Sequence, residues 1–255
     1  MDLINNPAIS NVMFFPRRAN PVDRFDIEVP GATLACALTT VENSDGWTVV
    51  HFHGNGEVVA DWQGTLDDEI NALGWNMLLA EYRGYGASTG SPILGDVLDD
   101  VSAVIEAAGS PEKIVLFGRS IGSLFALEAV TKFPNIAGVI IESGLADAVE
   151  LFLDSRRMGI SEDELAPLRQ RLDHREKIGN YTGPVLILHT QNDGLVNVSH
   201  AKRLAEWAGG EVDLRIFERG NHGTIWWVNN HEYLDAVADF LAKIKGELIR
   251  SGTAN

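Results

Sequence analysis

The sequence predicts an α/β protein, one domain built on a mostly parallel sheet of about eight strands with helices on both faces. Three observations carry this expectation. Short apolar runs alternate with amphipathic stretches along the chain. The apolar runs are continuous rather than alternating, as strands buried on both faces are. And 255 residues, 45% of them hydrophobic, suffice for one large core.

The runs are Trp47–Phe52, Trp75–Tyr82, Lys113–Phe117, Ile136–Ile141, Val185–His189 and Val212–Phe217. Each is rich in Val, Ile, Leu or aromatic residues and is bounded by turn formers. The intervening helices are expected at Val58–Leu73, Leu94–Ala108, Ile121–Lys132, Ser199–Trp207 and His231–Leu248. Asp96 lies in the first turn of the second of these, where a negative charge suits the helix dipole. Before them, Asp26–Val29 and Thr33–Leu38 flank Pro30-Gly31, a turn pair that predicts an antiparallel hairpin at the sheet edge. Val12–Phe15 is expected as a further short strand.

Between Leu145 and Tyr181 no strand-like run occurs. Ser161 and Glu164 have capping-box spacing, which starts a helix at Glu162. Residues 145–181 are therefore expected as a small helical cap. No linker, repeat or low-complexity tract divides the chain, so residues 1–255 read as a single domain.

Composition excludes several classes. A formal charge of −16 argues against nucleic acid and against adsorption on anionic lipid. No apolar run approaches the roughly 20 residues that cross a bilayer, and Met1–Asn11 lacks a secretory pattern. The lone cysteine, Cys36, sits among Leu and Ala in a predicted strand and reads as a core thiol. These features fit a cytoplasmic protein. No His-Glu-x-x-His, cysteine pair or glycine-rich phosphate loop is present, so neither metal nor cofactor is expected.

Two segments satisfy Gly-x-Ser-x-Gly: Gly118-Arg119-Ser120-Ile121-Gly122 and Gly86-Ala87-Ser88-Thr89-Gly90. The chemistry needs the serine on a sharp turn between a strand end and a helix start. Ile114–Phe117 runs straight into the first segment, and Ser123–Ala129 follows it as helix. The second is separated from its strand by Arg83-Gly84-Tyr85 and followed by Ser91-Pro92. Ser120 is therefore the expected nucleophile, and Ser88 part of a loop.

A serine hydroxyl needs a base, and the base needs a carboxylate to fix its tautomer. In a strand–turn–helix architecture of this kind both come later in the chain, from loops after strands. Of the seven histidines, His222 in Gly220-Asn221-His222-Gly223 alone has such a position, before the last helix. His189 ends a strand and reads as a core histidine. His51 and His53 end another, His174 lies among charges, His200 opens a helix, and His231 is expected on the surface of one. Asp193 follows the strand Val185–His189. Asp-Gly is also an ordinary turn pair, but the order Ser120, Asp193, His222 favours a catalytic role. Glu142 is the alternative acid. The oxyanion donors are expected to be the backbone N–H of Ile121 and of Asn55, in the loop His53-Gly54-Asn55-Gly56.

Together, Phe52-His53-Gly54-Asn55, Tyr82-Arg83-Gly84-Tyr85-Gly86 and the Gly118–Gly122 elbow resemble the α/β-hydrolase superfamily, most closely its Bem46-like and ABHD13/ABHD17-type branch. The likeness spans about residues 45–245 and departs at Thr190, where relatives usually carry glycine. It implies the α/β-hydrolase fold, in a branch that includes esterases, thioesterases and proposed peptidases, so it does not transfer a substrate. The expected activity is that of a serine hydrolase cleaving carboxylic esters or thioesters of small acyl substrates through an acyl-enzyme. The resemblance leaves open an aminopeptidase-like amide hydrolase, or a non-catalytic ligand-binding protein on the same scaffold.

Overall fold

In the computed structural model, residues 2–42, 44–153 and 159–252 are described. Eight strands form one sheet: β1 (Arg24–Val29), β2 (Ala32–Thr39), β3 (Thr48–Phe52), β4 (Asn76–Ala80), β5 (Ile114–Arg119), β6 (Gly138–Glu142), β7 (Val185–Thr190) and β8 (Val212–Phe217). Their order is β1-β2-β4-β3-β5-β6-β7-β8. β1 and β2 pair antiparallel through the turn at Gly31, and β2 joins β4 antiparallel. From β4 to β8 all pairing is parallel. The chain leaves β3 in one direction for β4 and crosses back to β5, so the crevice between β3 and β5 is the switch point where open α/β sheets bind ligands.

The expected strands are present within a few residues at their ends, except Val12–Phe15. Side chains along β5 alternate between two cores. Ile114 and Leu116 pack with α3 (Leu94–Ala108) and α4 (Gly122–Lys132) on one face. Val115 and Phe117 pack with α2 (Leu66–Ala72) and α9 (Ile225–Gly252) on the other.

Three expected elements need correction. Val12–Phe15 is not a strand: α1 spans Pro7–Met13, started by Pro7 in its first turn and by Asn6, whose side chain accepts from the Ala8 N–H. Ile9 and Met13, four apart, share its buried face. The stretch Val58–Leu73 is not one helix. A 3-10 turn at Val59–Asp61 and α2 are separated around Gly64, whose φ of +72° ends the first. The last helix begins at Ile225, not His231, and is broken at Asn229, whose Nδ2 donates to the Ile225 and Arg219 carbonyls. His174 lies among the charges Asp173, Arg175, Glu176 and Lys177, as expected. It is buried, and its Nδ1 bonds the Leu145 carbonyl at 2.6 Å.

Among the described residues, the helical insertion holds α5 (Ala148–Phe152), α6 (Glu162–Arg171) and α7 (His174–Asn180), ahead of α8 (Ser199–Trp207). The Ser161–Glu164 capping box forms as expected. Residues 154–158 lie outside the described residues. Leu165, Leu168, Leu172 and Ile178 join the main core, so α6 and α7 are integral to the domain. Glu128 of α4 anchors them: its carboxylate, 3% exposed, pairs with Arg171 of α6 and accepts from Lys177 of α7 at 2.8 Å. Burial would raise its pKa, but Arg171 and Lys177 prevail and hold it at about 2. A pKa depressed in the fold stabilises above the ordinary value of 4.5 and ceases to do so as pH falls toward 2. Glu128→Gln leaves two cations without their counter-charge, one of them buried. It should cost about 3 kcal/mol at pH 7. The gap between the urea midpoints of Glu128→Gln and wild type should shrink below pH 4.5; a gap independent of pH would refute the anchoring charge.

Candidate active site

Ser120 lies between β5 and α4 with φ of +52°, a left-handed conformation costly for any residue with a Cβ. Its N–H donates to the Glu142 carbonyl at 2.8 Å, tying the elbow to the end of β6. The flanking glycines are steric necessities. A Cβ on Gly118 would stand 2.8 Å from the Gly122 carbonyl oxygen, and one on Gly122 would stand 2.0 Å from that of Phe52. This close approach sets the N-terminus of α4 against the loop that follows β3.

Three expected residues meet here. Ser120 Oγ is 2.9 Å from His222 Nε2, and His222 Nδ1 is 2.8 Å from Asp193 Oδ2. They come from the loops after β5, β8 and β7, at the C-terminal end of the sheet. Asp193 has no exposed side-chain surface, whereas His222 is 17% exposed. The Asp193 carboxylate is thus sealed and the His222 ring accessible. Asp193 Oδ1 accepts from the N–H groups of Leu195 and Val196 at 2.9 and 2.8 Å. Burial alone would raise its pKa, but the His222 bond and these backbone donors bring it below the ordinary carboxylate range. An ionised Asp193 accepts only, so His222 carries its proton on Nδ1 and offers the Nε2 lone pair to Ser120.

His189 also lies 3.5 Å from Asp193 Oδ2, but its Nε2 donates to the Val196 carbonyl at 2.9 Å. Burial lowers its pKa, so it is the neutral core histidine expected. Glu142, the alternative acid, is turned elsewhere: its carboxylate pairs with Arg119 and accepts from Tyr233 Oη at 2.5 Å. Ser88 is remote in role, since its buried Oγ accepts from the Ala35 N–H of β2 at 2.8 Å. The preceding Arg83 is bound to Asp100 of α3 at 2.6 Å, so this second glycine-rich segment is a structural loop.

Asn55 and Ile121, the expected oxyanion donors, border the same crevice. Among the described residues, neither backbone N–H donates a hydrogen bond. The Asn55 side chain is held from behind: Nδ2 donates to the Met13 carbonyl at 2.6 Å, while Oδ1 accepts from the Phe15 N–H at 2.9 Å and Tyr85 Oη at 2.8 Å. His53 beside it is buried, with Nε2 2.7 Å from Glu81 Oε1. Burial opposes its protonation, but the Glu81 carboxylate prevails and raises its pKa. Among the described residues no group of three or more His, Cys, Asp or Glu side chains could hold a metal ion.

An eight-stranded sheet with this order, a serine elbow after β5, an acid after β7 and a histidine after β8 decide the fold. The chain has the α/β-hydrolase fold. A family described as serine aminopeptidase, S33, matches residues 44–156. The chain is similar to alpha/beta hydrolase domain-containing protein 17C of Xenopus tropicalis, 26% identical over 221 residues, covering 83% of this chain and 67% of the relative. The human protein of that name is 26% identical over 218 residues, covering 82% of this chain and 62% of its own length. The chain therefore spans under two thirds of the human relative. These matches agree with the ABHD17-type resemblance. Among solved structures, Est1E from Butyrivibrio proteoclasticus with bound ferulic acid superimposes with a TM-score of 0.71 at 18% identity, covering 87% of this chain and 99% of that one. The Pyrococcus furiosus esterase Pf2001 gives 0.71 at 19%, covering 90% and 99%. Alpha/beta hydrolase domain-containing protein 10 from mouse gives 0.68 at 17%, covering 88% and 100%.

What the sequence reading missed is the environment of Arg119. A cation flanked by Phe117-Gly118 and Ser120-Ile121 at a buried strand end must find carboxylates. That requirement was the available signal.

Proposed function

We propose that the chain is a serine hydrolase cleaving carboxylic esters or thioesters of small acyl substrates through Ser120, His222 and Asp193. The observation carrying this reading is the unbroken hydrogen-bond chain from Ser120 Oγ through the His222 ring to Asp193, with the serine on a left-handed turn at a helix N-terminus. His222 Nε2 takes the hydroxyl proton as Oγ attacks the acyl carbon. The carbonyl oxygen becomes an oxyanion, met by the N–H groups of Ile121 and Asn55, each worth about 3 kcal/mol of barrier. Collapse breaks the bond to the leaving group, which takes the proton from His222. Water, deprotonated by the same nitrogen, then attacks the acyl-enzyme and restores Ser120.

Esterase names among the structural neighbours favour ester substrates, and the serine aminopeptidase description of the matching family favours amides. A screen of p-nitrophenyl esters of increasing chain length, thioesters and aminoacyl anilides separates them. Short esters or thioesters should be turned over fastest; anilides turned over faster than either would overturn the ester reading. A fluorophosphonate probe should label Ser120, and no labelling would point to a non-catalytic binding protein.

Asp193→Asn should lower kcat roughly 10,000-fold. An amide can still accept from Leu195 and Val196, but its NH2 would face His222 and force the ring proton onto Nε2. A loss under tenfold would remove Asp193 from the mechanism.

A further inference from the structure

We infer that Arg119 is a positioning residue that locks the base loop, the oxyanion loop and the nucleophile elbow into one rigid frame. The inference rests on the proposed hydrolase reading. Arg119 immediately precedes Ser120, and its side chain is 7% exposed. Its Nε donates to Glu57 Oε1 at 2.8 Å. The other carboxyl oxygen of Glu57 accepts from the Gly54 N–H at 2.8 Å and from Trp62 Nε1 at 3.2 Å. Arg119 is thereby joined to the loop that carries Asn55. Its Nη1 pairs with Glu142 at the end of β6, and Nη1 and Nη2 donate to the backbone carbonyl of His222 at 3.3 and 3.4 Å. The guanidinium also lies over the Trp62 ring, 5.6 Å from its centroid.

Glu142 extends the frame. Its second oxygen accepts from Tyr233 Oη of α9, the helix that follows the His222 loop. The loop bearing the base is thus gripped twice: through its own carbonyl by Arg119, and through the following helix by Glu142. Burial opposes the Arg119 charge, while Glu142 and Glu57 favour it, and its pKa is raised. The cation is permanent.

Only a planar fork reaches these partners together. Lysine supplies one point charge and cannot donate along three directions in a fixed plane. No atom of Arg119 takes part in the reaction as proposed. Its effect is on how often His222 Nε2 stands within reach of Ser120 Oγ, and small displacements of such groups are expensive in rate.

Three variants test the inference: Arg119→Lys, Tyr233→Phe, and the double variant Arg119→Met with Glu142→Gln. The double variant removes both members of the buried pair and so avoids stranding the Glu142 carboxylate; Glu57, 22% exposed, loses its cation but keeps its Gly54 and Trp62 donors. Each is assayed on a p-nitrophenyl ester and by the rate of fluorophosphonate labelling, with folding checked by circular dichroism. Glu128→Gln serves as a destabilised control remote from the triad. The double variant should lose about 100-fold in kcat and in labelling rate with KM within about twofold. Arg119→Lys should recover part of that loss, and Tyr233→Phe should lose several-fold. Glu128→Gln should keep wild-type rates. A folded double variant with wild-type kcat and labelling rate would overturn the positioning role. So would a rate loss matched by Glu128→Gln, which would reduce it to stability. Failure of wild-type enzyme to label would overturn the hydrolase reading itself.

Discussion

Ser120→Ala should lower kcat for p-nitrophenyl ester hydrolysis by four to six orders of magnitude, roughly the loss seen when a triad nucleophile is removed. KM should change little, because the hydroxyl contributes to the reacting bond and not to holding the substrate in the ground state. Residual turnover would come from the oxyanion donors and from binding. Folding should be unharmed or slightly improved, since among the described residues the only side-chain hydrogen bond of Ser120 is to a partly exposed histidine. The φ of +52° remains strained for alanine, so no large gain is expected. Ser88→Ala is the matched comparison. It should leave kcat within about twofold and lower stability by about 1 kcal/mol or more, because the Ala35 N–H loses its acceptor. Burst kinetics and thermal unfolding on both variants separate the two serines. Wild-type hydrolysis by Ser120→Ala would end the nucleophile assignment.

Gly122→Ala should be the most destabilising single methyl in the site. Helix propensity alone would favour it by about 1 kcal/mol, as Gly122 opens α4 with a backbone that alanine accepts. Sterics oppose it more strongly. The new Cβ would lie 2.0 Å from the Phe52 carbonyl oxygen, 2.7 Å from the Phe52 carbonyl carbon and 3.0 Å from the His53 carbonyl oxygen. All three are backbone atoms, so no side-chain rotation relieves the contact. Either β3 or α4 must move. A net loss of about 3 kcal/mol is expected, lowering Tm by roughly 6–12 °C in a domain of this size. Activity should fall as well, because the displaced backbone carries the Asn55 loop. An expected loss of about 100-fold in kcat corresponds to one misplaced oxyanion donor. Wild-type Tm together with wild-type kcat would contradict the close approach of the β3 loop and the elbow.

Much of the architecture was legible before any coordinates. The strands at Thr48–Phe52, Ile114–Arg119 and Val185–Thr190 are buried along their whole length, and the same continuous apolar runs mark them in the chain. The Leu94–Ala108 helix matches its expected bounds. Failures occurred where a short segment takes its conformation from caps and turns. Asn6 and Pro7 start α1, and Gly64 divides Val58–Leu73. In each case apolar content had been weighed above the local stop and start signals.

For the site, the same division holds. Ser120, Asp193 and His222 were identifiable because each sits at a defined place relative to a strand or helix, and local periodicity reveals such places. Arg119, Glu57 and Tyr233 were not, because what they do depends on partners far along the chain. Arg119 meets Glu57 from 62 residues away and the His222 carbonyl from 103. Glu142 shows the limit most clearly. By position it was a reasonable acid for His222, and only the packing of α9 and the elbow commits its carboxylate to Tyr233 and Arg119.

The sequence by itself determined the order of the sheet's strands along the chain, the serine that stands at a strand–helix junction, and the succession of Asp193 and His222 in loops behind it. Apolar period and turn residues act over a few positions, and that is enough for those decisions. Tertiary structure alone decided which carboxylate faces His222, that Ser88 accepts from β2, and that one buried guanidinium joins three loops. A buried charge or hydroxyl takes whichever partner the fold brings within hydrogen-bond reach, and that neighbour is set by how distant segments pack.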